Sequence, residues 1–294
     1  MRIFVTGASG WIGSAVTAEL LGAGHQVVGL ARSDAAAATV ANLGAEVRRG
    51  TLDDLDALRA GAADSDGVVH LGYNHDFSRM ADAVQTDRAA ITALGETLAG
   101  SDRPLLIASG VAGLPGNPAT ERDSADPNGH PRMANARAAL AFAERGVRAG
   151  VIRFAPTVHG DGDYGFVSVL VGVARERGVS AYIGEGGSWP AVHRLDAAAL
   201  VRLALDKAPA ASVLHAVAEP GVPTREIAEA IGRGLDLPVK SIPAEEAAAH
   251  FGWIGAFFGI DSHASSDYTR ELLGWTPTHP GLLADLDAGS YFRR

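Results

Sequence analysis

Short apolar-centred runs recur along the chain at Arg2–Thr6, Gln26–Ala31, Glu46–Arg49, Gly67–Leu71, Pro104–Ser109, Gly150–Arg153 and Ser212–Ala216. Most are continuous rather than alternating, the pattern of strands covered on both faces. Between them lie alanine-rich stretches of helical length: Ile12–Ala23, Asp54–Ala60, Asp76–Leu98 and Asn135–Gly146. Strand and helix in alternation predict an α/β fold, a parallel sheet between helical layers. Crossovers of this length are right-handed, which makes the sheet doubly wound.

Beyond about residue 155 the pattern loosens. Gly160–Gly165 and Gly184–Pro190 read as loops, and 244–275 is aromatic, apolar and compatible with helix. The pattern predicts a first domain over 1–155 and a smaller C-terminal substrate lobe over 156–294, with 191–218 returning to the first domain.

Composition removes whole classes of function. The 294 residues are 47% apolar and carry a net charge of −9, which disfavours nucleic acid as a partner. There is no cysteine, so disulfides, zinc-thiolate sites and thiol nucleophiles are excluded. No apolar run nears the ~18 residues of a membrane span, and the first residues lack a secretory pattern. The expectation is a cytoplasmic protein with a small-molecule substrate, no membrane partner, and a homodimer left open. Asp161 and Asp163 lack the further oxygen donors of a calcium loop, so no metal site is expected.

Chemistry enters at Thr6-Gly7-Ala8-Ser9-Gly10-Trp11-Ile12-Gly13, between the first strand and the first helix. Glycines at this spacing permit a tight turn, close approach of backbone to a pyrophosphate, and close helix–strand packing. The helix N-terminus then offers free N–H groups and its positive dipole end to the phosphates. Gly7, Ser9, Gly10, Trp11, Ile12 and Gly13 are therefore candidate cofactor contacts in a Rossmann-like sheet.

The second strand bears on which dinucleotide binds. An NAD site usually keeps a carboxylate there for the ribose hydroxyls, whereas this strand ends Leu30-Ala31-Arg32-Ser33. Arg32 can fork onto a 2′-phosphate and Ser33 can donate to it, so NADP(H) is favoured over NAD(H).

These motifs, with others along nearly the full length, make the chain resemble the extended short-chain dehydrogenase/reductases, the NAD-dependent epimerase/dehydratase family. TGASGWIG resembles the family's cofactor loop. Gly50-Thr51-Leu52-Asp53 resembles its adenine-contacting segment, which adds Thr51 and Leu52 as candidate contacts. His70-Leu71-Gly72 resembles the end of its fourth strand, which adds Leu71 and Gly72. Arg153–Gly160 resembles RPxxVYG with His159 for tyrosine, Ala191–Asp196 resembles hVdD, and Leu273–Pro277 resembles LGWxP. The family's proton chemistry uses a tyrosine with a lysine four residues later, after the fifth strand. This chain has neither in that place, where it reads Asp126 to Arg137.

Replacement proton donors are sought among residues after the strand ends. His75 and Tyr73 follow the fourth strand, His130 lies near the position of the family tyrosine, and His159 and Tyr164 follow the sixth strand. A histidine titrates near neutral pH, so His75 and His130 are the first candidates, with Ser109 as a carbonyl-orienting hydroxyl. His193 is expected to pack or cap.

In nucleotide-sugar members of the family an arginine contacts the diphosphate four residues before the hVdD histidine. The corresponding residue here is Trp189, and the segment Phe251–Gly259 is aromatic. Such a lining suits a flat or apolar substrate, although Trp253, Phe257 and Phe258 read equally as small-lobe core. The leading expectation is an NADP(H)-dependent oxidoreductase acting on a carbonyl-type, imine or enone group of an uncharged molecule. A catalytically silent NADP(H) sensor or regulator is the alternative, and a sugar-nucleotide epimerase or dehydratase ranks last.

Overall fold

The computed structural model describes residues 1–74, 79–124 and 131–293. Seven strands form one parallel sheet: β1 (Arg2–Thr6), β2 (Gln26–Ala31), β3 (Glu46–Arg49), β4 (Gly67–His70), β5 (Pro104–Gly110), β6 (Arg148–Phe154) and β10 (Ser212–Ala216). Their order is β10-β6-β5-β4-β1-β2-β3, every pairing is parallel, and the order reverses between β1 and β4. Ligands of such sheets bind outside the carboxyl ends of the strands at that reversal.

The helices of this part are α1 (Trp11–Gly22), α2 (Asp34–Asn42), α3 (Leu55–Ala63), α4 (Met80–Leu98), α5 (Pro131–Leu140) and α7 (Arg194–Lys207). Two cores result. One joins β1 residues Ile3 and Val5 to Val16 and Leu20 of α1 and Leu200, Val201 and Leu205 of α7. The other joins Phe4, Leu58, Ile91, Leu94 and Leu98 on the opposite face.

Several boundaries differ from the pattern. β6 begins at Arg148, because Gly150 is an interior position where Leu106 packs: a Cβ on Gly150 would lie 3.0 Å from Leu106 Cδ2. α2 was absent from the pattern; the Ser33 side chain caps it by accepting from Ala36 N–H at 3.2 Å. α5 starts at Pro131 rather than Asn135, proline being pre-shaped for a first helical position. Ser188–Pro190, expected as loop, opens strand β9 (Ser188–His193) of a second sheet with β7 (Thr157–His159) and β11 (Glu219–Pro223). Pro190 is accommodated because the β9–β11 register is irregular there.

The remaining residues include α6 (Phe166–Arg177), β8 (Ser180–Ile183), α8 (Thr224–Leu235), β12 (Val239–Ile242), α9 (Ala247–Phe251), α10 (Gly255–Phe258) and α12 (Leu282–Asp287). They surround a third core containing Trp189, Phe251, Ile254 and Phe258. Ala264, Trp275 and Leu273 at the end of α11 (Asp267–Leu273) pack instead into the first core, so part of the C-terminal segment belongs with the seven-stranded sheet. Among the described residues no helix is long and apolar enough to cross a membrane.

Candidate functional site

The loop after β1 is shaped by contacts that leave no room for side chains. Gly7 has φ +70°, and a Cβ there would meet Gly72 N at 2.7 Å. A Cβ on Gly13 would lie 1.9 Å from Gly7 O, so helix α1 can begin here only with glycine. Gly10 donates its N–H to Gly7 O at 2.9 Å and sits at the N-cap of α1 without a capping side chain. The first-turn N–H groups of α1 are thus left for an anion, and the cradle fits a dinucleotide pyrophosphate. Ser9, Trp11 and Ile12 line the same turn, while Leu52 packs beside Gly72: a Cβ on Gly72 would meet Leu52 Cδ2 at 3.0 Å. Thr51 is exposed and Leu71 is partly buried against the first core.

At the end of β2, Arg32 is exposed and has no side-chain partner among the described residues. Ser33 is committed as the cap of α2, so its oxygen is an acceptor and only its hydroxyl proton is free to donate. Asp34 is ion-paired with Arg49.

Beneath the loop runs a buried chain of hydrogen bonds that no motif in the sequence marks. Gly72 N–H donates to Thr6 Oγ1 at 3.0 Å, and Thr6 Oγ1 lies 2.8 Å from His70 Nδ1. His70 Nε2 lies 3.2 Å from Asp87 Oδ1, and Asn135 Nδ2 donates to Asp87 Oδ2 at 2.7 Å. One direction satisfies every group with a neutral imidazole: Thr6 O–H donates to Nδ1, and Nε2–H donates to Asp87. Burial raises the Asp87 carboxyl, but bonds from His70 and Asn135 and the charge of Arg132 outweigh it and hold it below the usual range. No spacing signal joins these residues, since they come from β1, β4, α4 and α5.

At the carboxyl ends of β4 and β5, the Arg132 guanidinium lies 4.0 Å over the Tyr73 ring, at the start of α5. Burial raises the Tyr73 phenol above its ordinary value despite the nearby Arg132 charge, so it stays protonated at neutral pH. Ser109 is buried at the end of β5, its hydroxyl 3.8 Å from Met133 Sδ. His75 and His130 lie outside the described residues.

The segment after β6 is tied to the glycine loop after β1. Trp11 Nε1–H donates to Val158 O at 2.7 Å, Arg194 stacks 3.9 Å over the indole, and Tyr164 meets it edge-on at 5.7 Å. Arg194 also donates to Ser14 Oγ at 3.0 Å. Tyr164 is 62% exposed. His159 is fully buried with Nδ1 2.9 Å from Asp285 Oδ2, so it belongs to the packing between β7 and α12 rather than to an open cleft. Asp163 accepts from Gly165 N–H and Tyr291 O–H and is integral to the same packing. His193 caps α7, its Nδ1 accepting from Leu195 N–H at 3.3 Å.

The aromatic segment divides. Trp189 is 2% exposed and donates Nε1–H to Phe257 O at 3.1 Å, and Phe258 packs against it in the third core. Trp253, 47% exposed, and the partly buried Phe166 and Phe257 form a rim of mutually packed rings.

A model of the NAD dependent epimerase/dehydratase family matches residues 3–215. The chain belongs to that family. An uncharacterized protein of Schizosaccharomyces pombe is 49% identical over 99% of this chain and 100% of its own length. A 4-hydroxy-2-methyl-3-oxo-4-farnesyl-3,4-dihydroquinoline-1-oxide ketoreductase of Stigmatella aurantiaca is 41% identical over 70 residues, 24% of this chain and 21% of that protein. The UDP-glucose 4-epimerase of Thermotoga maritima has the same fold, with a TM-score of 0.79 at 21% identity, covering 100% of this chain and 99% of that one.

Proposed function

We propose that this family member is an NADP(H)-dependent oxidoreductase acting on a carbonyl-type, imine or enone group of an uncharged apolar or aromatic small molecule. The observation that carries the reading is the end of β2, where Arg32 stands exposed and the neighbouring carboxylate, Asp34, is already engaged. The residue at 189 supports an uncharged substrate, because tryptophan stands where nucleotide-sugar members of the family carry a diphosphate-binding arginine, and its indole N–H is spent on Phe257 O. The partial ketoreductase relative agrees with a reductase.

When bound, the nicotinamide supplies the hydride chemistry. The glycine cradle and the α1 N-terminus would hold its pyrophosphate, and Arg32 its 2′-phosphate. On the substrate side the Ser109 hydroxyl orients the carbonyl oxygen, and the Arg132 charge stabilises negative charge that develops there. Tyr73, with its proton retained at neutral pH, is a donor beside that arginine; His75 and His130 stay candidates from the sequence alone.

The test is NADPH consumption at 340 nm across ketones, quinones, enones and imines. Turnover with at least one apolar class is expected, with Ser109→Ala and Arg132→Gln each slower by about 10²-fold or more at similar NADPH affinity. Tight NADPH binding with no turnover in any class would instead favour a cofactor sensor.

A further inference from the structure

We infer that Arg49 is a second arginine of the adenosine 2′-phosphate subsite, and that Asp34 is the anion which that phosphate displaces. This rests on the NADP(H) reading above. Ala31 and Arg49 stand opposite each other in the parallel β2–β3 pair, and Gly50 N–H donates to Ala31 O at 3.2 Å, so the two strands end level. Successive side chains of β3 leave opposite faces. Arg48 pairs with Asp64 at the end of α3, whereas Arg49 pairs with Asp34 in the first turn of α2. The Arg49 guanidinium is therefore held at the start of α2, next to the Arg32-Ser33 step that follows β2.

A ribose seated at the end of β2 carries its 2′ substituent toward that step. A site selecting an unphosphorylated ribose keeps a carboxylate free there. Here the nearby carboxylates are committed: Asp34 to Arg49, Asp53 to the Thr86 hydroxyl, and Asp54 to the cap of α3. The Asp34 side chain is 97% exposed, so a doubly charged phosphate, a stronger partner for the Arg49 guanidinium than one carboxylate, can take its place, whereas neutral ribose hydroxyls offer Arg49 no such replacement. A doubly charged phosphate between two guanidinium forks is the stronger arrangement. Two cations against one displaceable carboxylate describe a phosphate subsite rather than a ribose-diol subsite.

The experiment is calorimetric titration of the full chain with 2′,5′-ADP, 5′-AMP, NADPH and NADH. The parent should bind 2′,5′-ADP more tightly than 5′-AMP. Arg49→Gln should weaken 2′,5′-ADP and NADPH by about tenfold or more and leave 5′-AMP and NADH within about twofold. Asp34→Asn should tighten NADPH severalfold without moving NADH. If Arg49→Gln binds 2′,5′-ADP like the parent while Arg32→Ala weakens it, the NADP(H) reading stands and the role of Arg49 falls. Equal loss of 2′,5′-ADP and 5′-AMP in Arg49→Gln also overturns it, because the damage then lies in the scaffold. A parent that holds 5′-AMP as tightly as 2′,5′-ADP overturns the NADP(H) reading itself.

Discussion

Gly13 and Gly22 open and close the same helix, and the two positions make opposite demands. A Cβ on Gly13 would stand 1.9 Å from a backbone oxygen that cannot move without opening the loop, whereas a Cβ on Gly22 would meet nothing within 4 Å. Gly13→Ala is expected to cost about 1–3 kcal/mol of stability by overpacking and to weaken NADPH binding. Gly22→Ala is expected to stabilise by about 0.5–1 kcal/mol through helix propensity alone. Denaturant midpoints with NADPH titration check both, and equal effects at the two sites would contradict the cradle geometry. The glycine spacing was legible in the sequence because it depends on local backbone freedom. That Gly7 presses on Gly72 was not, because the two meet only through pairing of β1 with β4.

Between elements, the clearest tie runs from the head of α1 to β7 and to the start of α7. Trp11 bonds Val158 O and carries Arg194 on its face, and Arg194 in turn reaches Ser14. The glycine loop, the strand β7 and the start of α7 are therefore tied by one continuous set of side-chain contacts. A double-mutant cycle with Trp11→Leu and Arg194→Met should return a coupling of about 0.5–2 kcal/mol in denaturant unfolding. Additive single effects would show that the stack contributes nothing beyond packing. At this scale the strands were readable from their apolar runs, since a strand buried on both faces leaves no polar alternation. α2 was not, because its alanines mark no face and its start depends on Ser33 turning to cap it. The pairing of Asn135 with Asp87 was equally hidden: each residue alone reads as an ordinary polar position on a helix.

For the whole molecule, the C-terminal segment is docked through groups that titrate. Asp196 accepts from Thr278 N–H, His279 N–H and His279 Nδ1, and the His193 and His279 rings stack at 4.8 Å. Burial, then the His159 and His279 charges, push His193 down from 6.5 to about 4. Unfolded chains take up that proton near pH 6.5 while the folded protein resists it until about pH 4. This contribution to stability is complete above about pH 6.5 and declines as the pH falls toward 4. Burial raises Asp196, but its bonds from the His279 side chain and the Thr278 and His279 N–H groups outweigh that and hold it below the usual carboxylate range. Its share is lost only at lower pH still, as the solution passes below ordinary carboxyl values. His193→Asn keeps a good capping oxygen for α7 and removes the titration. The variant should show a flatter fall in unfolding midpoint between pH 6.5 and 4 than the parent, and parallel curves would refute the assignment.

The sequence by itself determined the doubly wound parallel sheet, the position of the glycine turn between β1 and α1 and the absence of a carboxylate at the end of β2. Each depends on neighbours in the chain: apolar runs, glycine spacing, one residue at a strand end. Tertiary structure alone decided which side chains share a site. It spent His159 and Asp163 on packing, sent Trp189 and Phe258 into the core while leaving Trp253 exposed, and set Arg132 over Tyr73. It also brought Arg49 to Asp34 across two strands. A side chain's partners follow from strand order and from the faces that pairing assigns, and those are properties of the folded sheet rather than of any stretch of chain.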